Sequence, residues 1–182
     1  MKNISFLSLL FIVSLVCIAG NAICGVFGDD NDKPVDTLLK KDPQNATMLV
    51  TLGIDLSNSG RYNESVDAYN QALKLEPGNS SLWNLKGSVL QKIEKYEEAI
   101  RAYNQALSID HENIDAWNNK GSVLVEIDRL EDASKAFNQA LLIDPENAYA
   151  KENLEQVSDK INELTFLKSV EILKTKMEIR DS

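Results

Sequence analysis

The pattern of apolar, small and polar positions between residues 46 and 147 repeats three times with a period of 34 residues. The second half of each unit contains nearly the same hexapeptide, at 68–73, 102–107 and 136–141. It consists of alanine and an aromatic residue followed by Asn-Gln-Ala-Leu. A period of this length indicates stacked pairs of helices. Turn residues divide each unit in two, so the predicted helices are 47–59, 63–75, 81–93, 97–109, 115–127 and 131–143.

Small residues recur at three positions of each unit, and an aromatic residue recurs at a fourth. Small side chains let two helices approach closely, and an aromatic ring fills the space between helical layers. This pattern therefore predicts a core built in the same way three times. The matched positions are Gly53, Gly87 and Gly121; Ser65, Ala99 and Ala133; Ala72, Ala106 and Ala140; and, for the aromatic residue, Tyr69, Tyr103 and Phe137.

With Pro77 and Pro145 at the ends of two units, these positions resemble the tetratricopeptide repeat family over more than half of the chain. The resemblance implies an all-α fold, a right-handed superhelical solenoid of antiparallel helix pairs. Its three full repeats would be 46–79, 80–113 and 114–147, with capping helices at both ends. The departures from the family pattern are Leu49 in place of Trp, His111 in place of Pro, and Lys86 and Lys120 in place of leucine.

A repeat array must cover its two ends, because a single repeat cannot bury its own apolar face. Residues 29–45 are predicted to form a short linker and an N-terminal capping helix, since Pro43 lies 34 positions before Pro77. Residues 148–182 are predicted to form a degenerate fourth repeat or C-terminal capping helix. Its two apolar stripes favour a break near 162–165, and one long helix is the alternative.

The first 28 residues differ from the rest, because Lys2 is followed by an uncharged, largely apolar stretch up to Gly28. This segment is interpreted either as a cleaved secretory signal peptide or as an uncleaved membrane anchor. Lys2 before the stretch and Asp29-Asp30 after it predict an extracytoplasmic location, secreted or membrane-anchored, for the remainder.

The formal net charge of −9 opposes nucleic-acid binding, which relies on Lys and Arg to neutralise phosphates. No phosphate-cradling loop, nucleophile motif or metal-ligand spacing occurs, so the sequence predicts no catalytic residue, no cofactor, no metal and no enzymatic activity. The single histidine, His111, is interpreted as a solvated loop residue. Trp83 and Trp117 are interpreted as packing residues of the first helices.

The resemblance further implies a concave groove lined by the first helices, which holds a peptide or a partner's helix. Asparagine side chains in such a groove offer both a donor and an acceptor to a peptide backbone. Lys92 is the only cation predicted to line it, so the carboxylate clamp of the family's chaperone-tail binders is missing, and binding of an acidic C-terminal tail is excluded. The predicted groove residues are Thr47, Thr51, Asn58, Asn84, Ser88, Gln91, Asn118, Asn119 and Ser122.

The sequence therefore predicts a non-enzymatic scaffold that binds a protein or peptide partner through this groove outside the cytoplasm. Three alternatives stay open. The groove residues are merely solvated polar side chains; the array is a structural module that self-associates into a homo-oligomer through the apolar tail 164–180; or the chain is an accessory subunit of a membrane-bound complex.

Overall fold

A computed structural model describes residues 45–181, which form α-helices and no strands. The signal or anchor segment 1–28 and nearly all of the predicted N-terminal capping segment 29–45 lie outside the described residues. The six predicted helices are confirmed, each beginning one residue earlier than expected. The helices are α1 (Ala46–Asn58), α2 (Tyr62–Leu75), α3 (Ser80–Lys92), α4 (Tyr96–Ile109), α5 (Ile114–Glu126), α6 (Leu130–Ile143) and α7 (Ala148–Asp181).

Each helix packs against its neighbours in the chain, and the first helices α3, α5 and α7 also contact one another in order. The contacts between α1 and α2, α3 and α4, and α5 and α6 are the most extensive. This arrangement confirms the all-α solenoid of antiparallel helix pairs. Its core consists mainly of alanine, leucine and aromatic side chains, and the largest cluster runs from Leu90 to Val157.

The aromatic rings of the core occupy the space left by the repeat glycines. Tyr69, Tyr103 and Phe137 are all fully buried. A β-carbon built at Gly87 would lie 2.5 Å from Cε1 of Tyr103, which is inside the contact distance of two carbon atoms. The glycine is therefore required because the ring lies directly against the helix backbone.

Each first helix starts at an asparagine that caps it. The side chains of Asn45, Asn79, Asn113 and Asn147 accept a hydrogen bond from the backbone N–H three residues later, at 2.9–3.0 Å. This bond satisfies one of the free N–H groups at a helix N-terminus. The asparagines are 34 residues apart, so the last residue of each repeat sets the start of the next.

The turns inside the repeats share one backbone geometry. Gly60, Glu94 and Asp128 have positive φ angles of 76°, 60° and 59°. The backbone N–H of the next residue donates to a carbonyl five residues back, for example Lys95 to Leu90 at 3.0 Å. This is a left-handed helix ending of the Schellman type. Only the first of the three turns has the glycine that such a turn favours.

The C-terminal helix α7 runs without interruption from Ala148 to Asp181, so the favoured break near 162–165 is wrong and no fourth helix pair forms. Its first half is a cap, because Ala150 and Val157 are buried and Leu154 and Ile161 pack against the core. Beyond Ile161 the helix has no core beneath it. A turn there would need tertiary contacts to hold it, and the segment contains no Gly or Pro.

The second half of α7 leaves large apolar side chains in solvent: Leu164, Phe166, Leu167, Ile172, Leu173, Met177 and Ile179. Within residues 45–181, neither α7 nor any shorter helix combines the length and the apolar character needed to cross a bilayer.

Candidate peptide-binding groove

The predicted groove residues lie on α1, α3 and α5, and they differ in exposure. Thr47, Thr51 and Asn58 on α1 are exposed, whereas the residues on α3 and α5 are half-buried, apart from Asn118, which is buried. The Thr51 hydroxyl is already engaged as a donor, because it donates to the Thr47 carbonyl at 3.0 Å. The deeper polar surface therefore belongs to the second and third repeats.

A direct amide bond joins these two repeats. The side-chain amide Nδ2 of Asn119 donates to Oδ1 of Asn84 at 3.0 Å, although the residues are 35 positions apart. Both residues are half-buried, and this bond leaves the Asn84 amide donors and the Asn119 amide oxygen unused. The structure thus brings together two of the predicted residues, so that a single extended peptide backbone could contact both.

Asn118 was predicted to line the groove, but it is only 7% exposed. Its Nδ2 donates to Oδ1 of Asn147, the cap of α7, at 3.2 Å. Its Oδ1 is buried and has no hydrogen-bond partner within the described part of the chain. Asn118 therefore ties the third repeat to the capping helix, and its buried Oδ1 is not open to a ligand in the groove.

Tyr149 of α7 lies beside the predicted groove residue Ser122, and the sequence analysis missed it. Its hydroxyl lies 2.7 Å from the Ser122 hydroxyl, and its ring meets the ring of Phe137 edge-on at 6.5 Å between centroids. Tyr149 follows Asp115 by 34 residues and so takes the same repeat position. The 34-residue period was the signal that could have found it, but the predicted set stopped at the third repeat.

The remaining polar positions on α3 are partly engaged by the core. The hydroxyl of buried Tyr103 donates to Oε1 of Gln91 at 3.2 Å. Burial raises the pKa of Tyr103 strongly, and the nearby Tyr149 raises it further, so the phenol stays protonated and remains a donor. Ser88, one turn of α3 before Gln91, has no such bond among residues 45–181 and is half-buried.

The groove carries little positive charge. Lys92 is exposed, and its Nζ lies 5.7 Å from the centroid of the Tyr62 ring rather than over the amide surface. The nearby acidic positions are Asp115 and Glu126 on α5, both exposed. Binding of a terminal carboxylate by several cations at once is therefore not possible here, because Lys92 is the one cation of the predicted groove.

The other candidate residues are structural. The indole N–H groups of Trp83 and Trp117 donate to the carbonyls of Pro77 and His111 at 3.0 and 2.9 Å, which fixes the half-buried rings to the preceding turn. The His111 side chain is exposed. Within residues 45–181, no group of three His, Cys, Asp or Glu side chains could hold a metal ion.

The chain belongs to the tetratricopeptide repeat family. Profiles described as "Tetratricopeptide repeat" match residues 46–79, 68–101 and 114–147, and one described as "TPR repeat" matches 87–128. Together the matches span 46–147, more than half of the chain, and two of them coincide with predicted repeats. No curated protein matches the whole sequence significantly.

Solved structures show the same fold. The first such domain of Spaghetti (RPAP3), bound to the HSP90 peptide SRMEEVD, is 25% identical with a TM-score of 0.63, covering 66% of this chain and 96% of that one. MamA is 21% identical with a TM-score of 0.66, over 80% of this chain and 88% of that one. The Sgt2 domain from Aspergillus fumigatus is 20% identical with a TM-score of 0.63, covering 66% and 81%. The fold is one that typically serves as a non-catalytic scaffold.

Proposed function

We propose that the chain is a scaffold that holds an extended peptide segment of a partner protein in the amide-lined groove of α3, α5 and the start of α7. The observation that carries this proposal is the Asn119–Asn84 bond of 3.0 Å, which presents free donors and an acceptor side by side on the half-buried floor. Backbone groups of a peptide need both kinds of partner.

Asn118 is not part of this proposal, because its Oδ1 is buried and a peptide in the groove would not reach it. Its side chain instead ties α5 to the start of α7 through the bond to Asn147. The amide groups of Asn84 and Asn119 would bind the backbone of the peptide and not a charged terminus. Such binding depends little on the sequence of the peptide. The peptide complex of the similar RPAP3 domain supports peptide binding in general.

The proposed place of action is outside the cytoplasm, with the chain either secreted or held at a membrane by residues 1–28. This part of the proposal rests on the sequence alone, on Lys2, the apolar stretch that follows it and Asp29-Asp30. Adding protease to intact cells tests it. Digestion of the repeats without lysis is expected; full protection together with recovery in the cytosolic fraction would contradict it.

The groove is tested by photo-crosslinking in cells, with a photoreactive residue placed at Ser88 in the groove or at exposed Glu131 on α6. A specific crosslinked partner is expected from position 88 and not from position 131. The double variant Asn84→Val with Asn119→Leu should lose the crosslink. It copies Val50 and Leu85, which hold the matching positions one repeat earlier, so the fold should tolerate it.

A folded double variant that captures the same partner equally well would show that the amide pair does not carry binding. Circular dichroism of both proteins checks that they are folded. Crosslinks from position 131 alone would place the partner on the outer helices instead.

Self-association through the tail is a second candidate function. The specific observation is the exposed apolar surface of α7 beyond Ile161, where Phe166 is 67% and Leu173 is 60% exposed. Analytical ultracentrifugation of the chain with and without residues 162–182 decides between the two. A dimer that disappears with the tail supports a structural module, and a monomer in both cases removes this candidate.

A further inference from the structure

A cleft of about 550 Å³ opens between α4, α5 and α6, away from the groove. Lys120 and Trp117 line it from α5, and Arg101 lines it from α4. Lys135 of α6 and Arg129, the residue just before α6, line the third side. The helical period puts residues 117 and 120 on the face of α5 opposite to the groove residues. The cleft is therefore a separate surface, in which four cations surround one space.

Lys120 is the most constrained of these cations. It is half-buried, and its Nζ lies 5.1 Å from the centroid of the Trp117 ring. Its ammonium has no hydrogen-bond acceptor within residues 45–181. Burial lowers the pKa of Lys120; the carboxylate of Asp132 raises it and Arg129 lowers it. The Trp117 ring compensates part of the lost hydration but leaves the N–H donors unused.

The carboxylates of the cleft pair with only two of its four cations. Asp132 is already bonded to Arg129 at 2.6 Å and to Lys135 at 3.0 Å. Glu97, the other lining carboxylate, is exposed and forms no ion pair within the described residues. Arg101 likewise has no ion pair there. Lys120 and Arg101 thus face the cleft without an ion pair within the described residues, although Asp132 acts on Lys120 electrostatically. The net charge of the chain is −9.

Packing of the repeat does not require the lysine. In the first repeat the positions of Trp117 and Lys120 hold Leu49 and Leu52, which are 1% and 8% exposed. The fold therefore accepts a buried leucine where Lys120 stands. The second repeat shows the same pairing as the third, since Lys86 Nζ lies 4.9 Å from the Trp83 ring beside a smaller cleft of about 340 Å³. Arg101 lines both clefts.

We propose that the cleft between α4, α5 and α6 is a binding site for a compact oxyanion, a carboxylate or a phosphate, held between Lys120 and Arg101. The guanidinium of Arg101 can bind two oxygens of such a group side by side, and the Lys120 ammonium supplies donors from the floor. This surface is independent of the groove, so the array can hold a peptide on one side and an anionic group on the other.

The test follows the indole N–H resonance of Trp117 while the full chain is titrated with inorganic phosphate or with succinate at constant ionic strength. A saturable shift at Trp117 is expected with at least one of them, and the tighter of the two identifies the oxyanion. Chloride serves as the reference ion. Equal shifts with chloride would mean general ionic screening and would overturn the proposal.

Two variants locate the site. Lys120→Met removes the ammonium, and Arg101→Gln removes the exposed guanidinium without touching the core. Each is expected to weaken binding about 10-fold or more, because a hydrogen bond to a charged group is lost. Lys74→Met, which removes an exposed charge at the end of α2, should bind as the parent does. Unchanged affinity in folded Arg101→Gln or Lys120→Met would show that the anion binds elsewhere.

Discussion

Gly121 of α5 lies against the edge of the Phe137 ring of α6, so closely that a β-carbon at residue 121 would be 2.6 Å from Cε1 of the ring. Phe137 is fully buried. Because interiors are close-packed, the absence of one methyl group at Gly121 sets the distance between the two helices of the third repeat.

We therefore expect Gly121→Ala to lower the free energy of unfolding. Overpacking costs about 1–3 kcal/mol, and the better helix propensity of alanine returns about 1 kcal/mol. Urea denaturation followed by circular dichroism measures the difference. Gly78→Ala is the matched control, because its β-carbon would meet nothing within 4 Å. A Gly121→Ala protein as stable as this control would show that the ring can move.

The turn at Glu94 gives a prediction of the opposite sign. Its φ of 60° is strained for a residue with a β-carbon, and Gly60 shows which residue the same turn accepts freely. Glu94→Gly should raise the free energy of unfolding by about 0.5–1 kcal/mol, because the relief of strain exceeds the added entropy of the unfolded chain. The midpoint of urea denaturation measures this change in stability. Lys95→Gly is the control: residue 95 has no strained φ angle, so glycine there is expected to lower the stability.

Truncations of α7 should separate the cap from the tail. A chain ending at Ile161 keeps the buried residues Ala150 and Val157 and is expected to melt within a few degrees of the parent. A chain ending at Asn147 uncovers the core around Phe137 and should unfold or aggregate. Thermal melting by circular dichroism at low protein concentration compares them. Equal melting of a soluble chain ending at Asn147 would mean that the third repeat needs no cap.

The groove should not bind an acidic C-terminal tail. Titration with the peptide SRMEEVD, the ligand of the similar RPAP3 domain, is expected to leave the backbone resonances of Asn84 and Ser88 unshifted up to about 1 mM. The reason is that Lys92 stands alone near the Tyr62 ring. These groove resonances register the groove separately from the outer cleft. A saturable shift there would show that amides alone can hold the carboxylates.

The interactions that the sequence predicted are those that recur between repeats, and it did not predict those that occur only once. The six helices, the glycine–ring contacts and the role of the tryptophans followed from the 34-residue period, because the same local packing recurs in each unit. The same period also contains the asparagine caps and Tyr149. They were not predicted, because the asparagines are the last residues of the predicted repeats and Tyr149 lies beyond the third repeat.

The sequence by itself determined the array: its helix pairs and the small and aromatic residues of its core. The tertiary structure alone decided that Asn118 is buried, that Asn84 and Asn119 bond to each other, and that α7 continues past Ile161. It also decided that Lys120 and Arg101 face one cleft. Each of these depends on distances between helices that are far apart in sequence, or on the absence of a neighbour, and a periodic pattern contains neither.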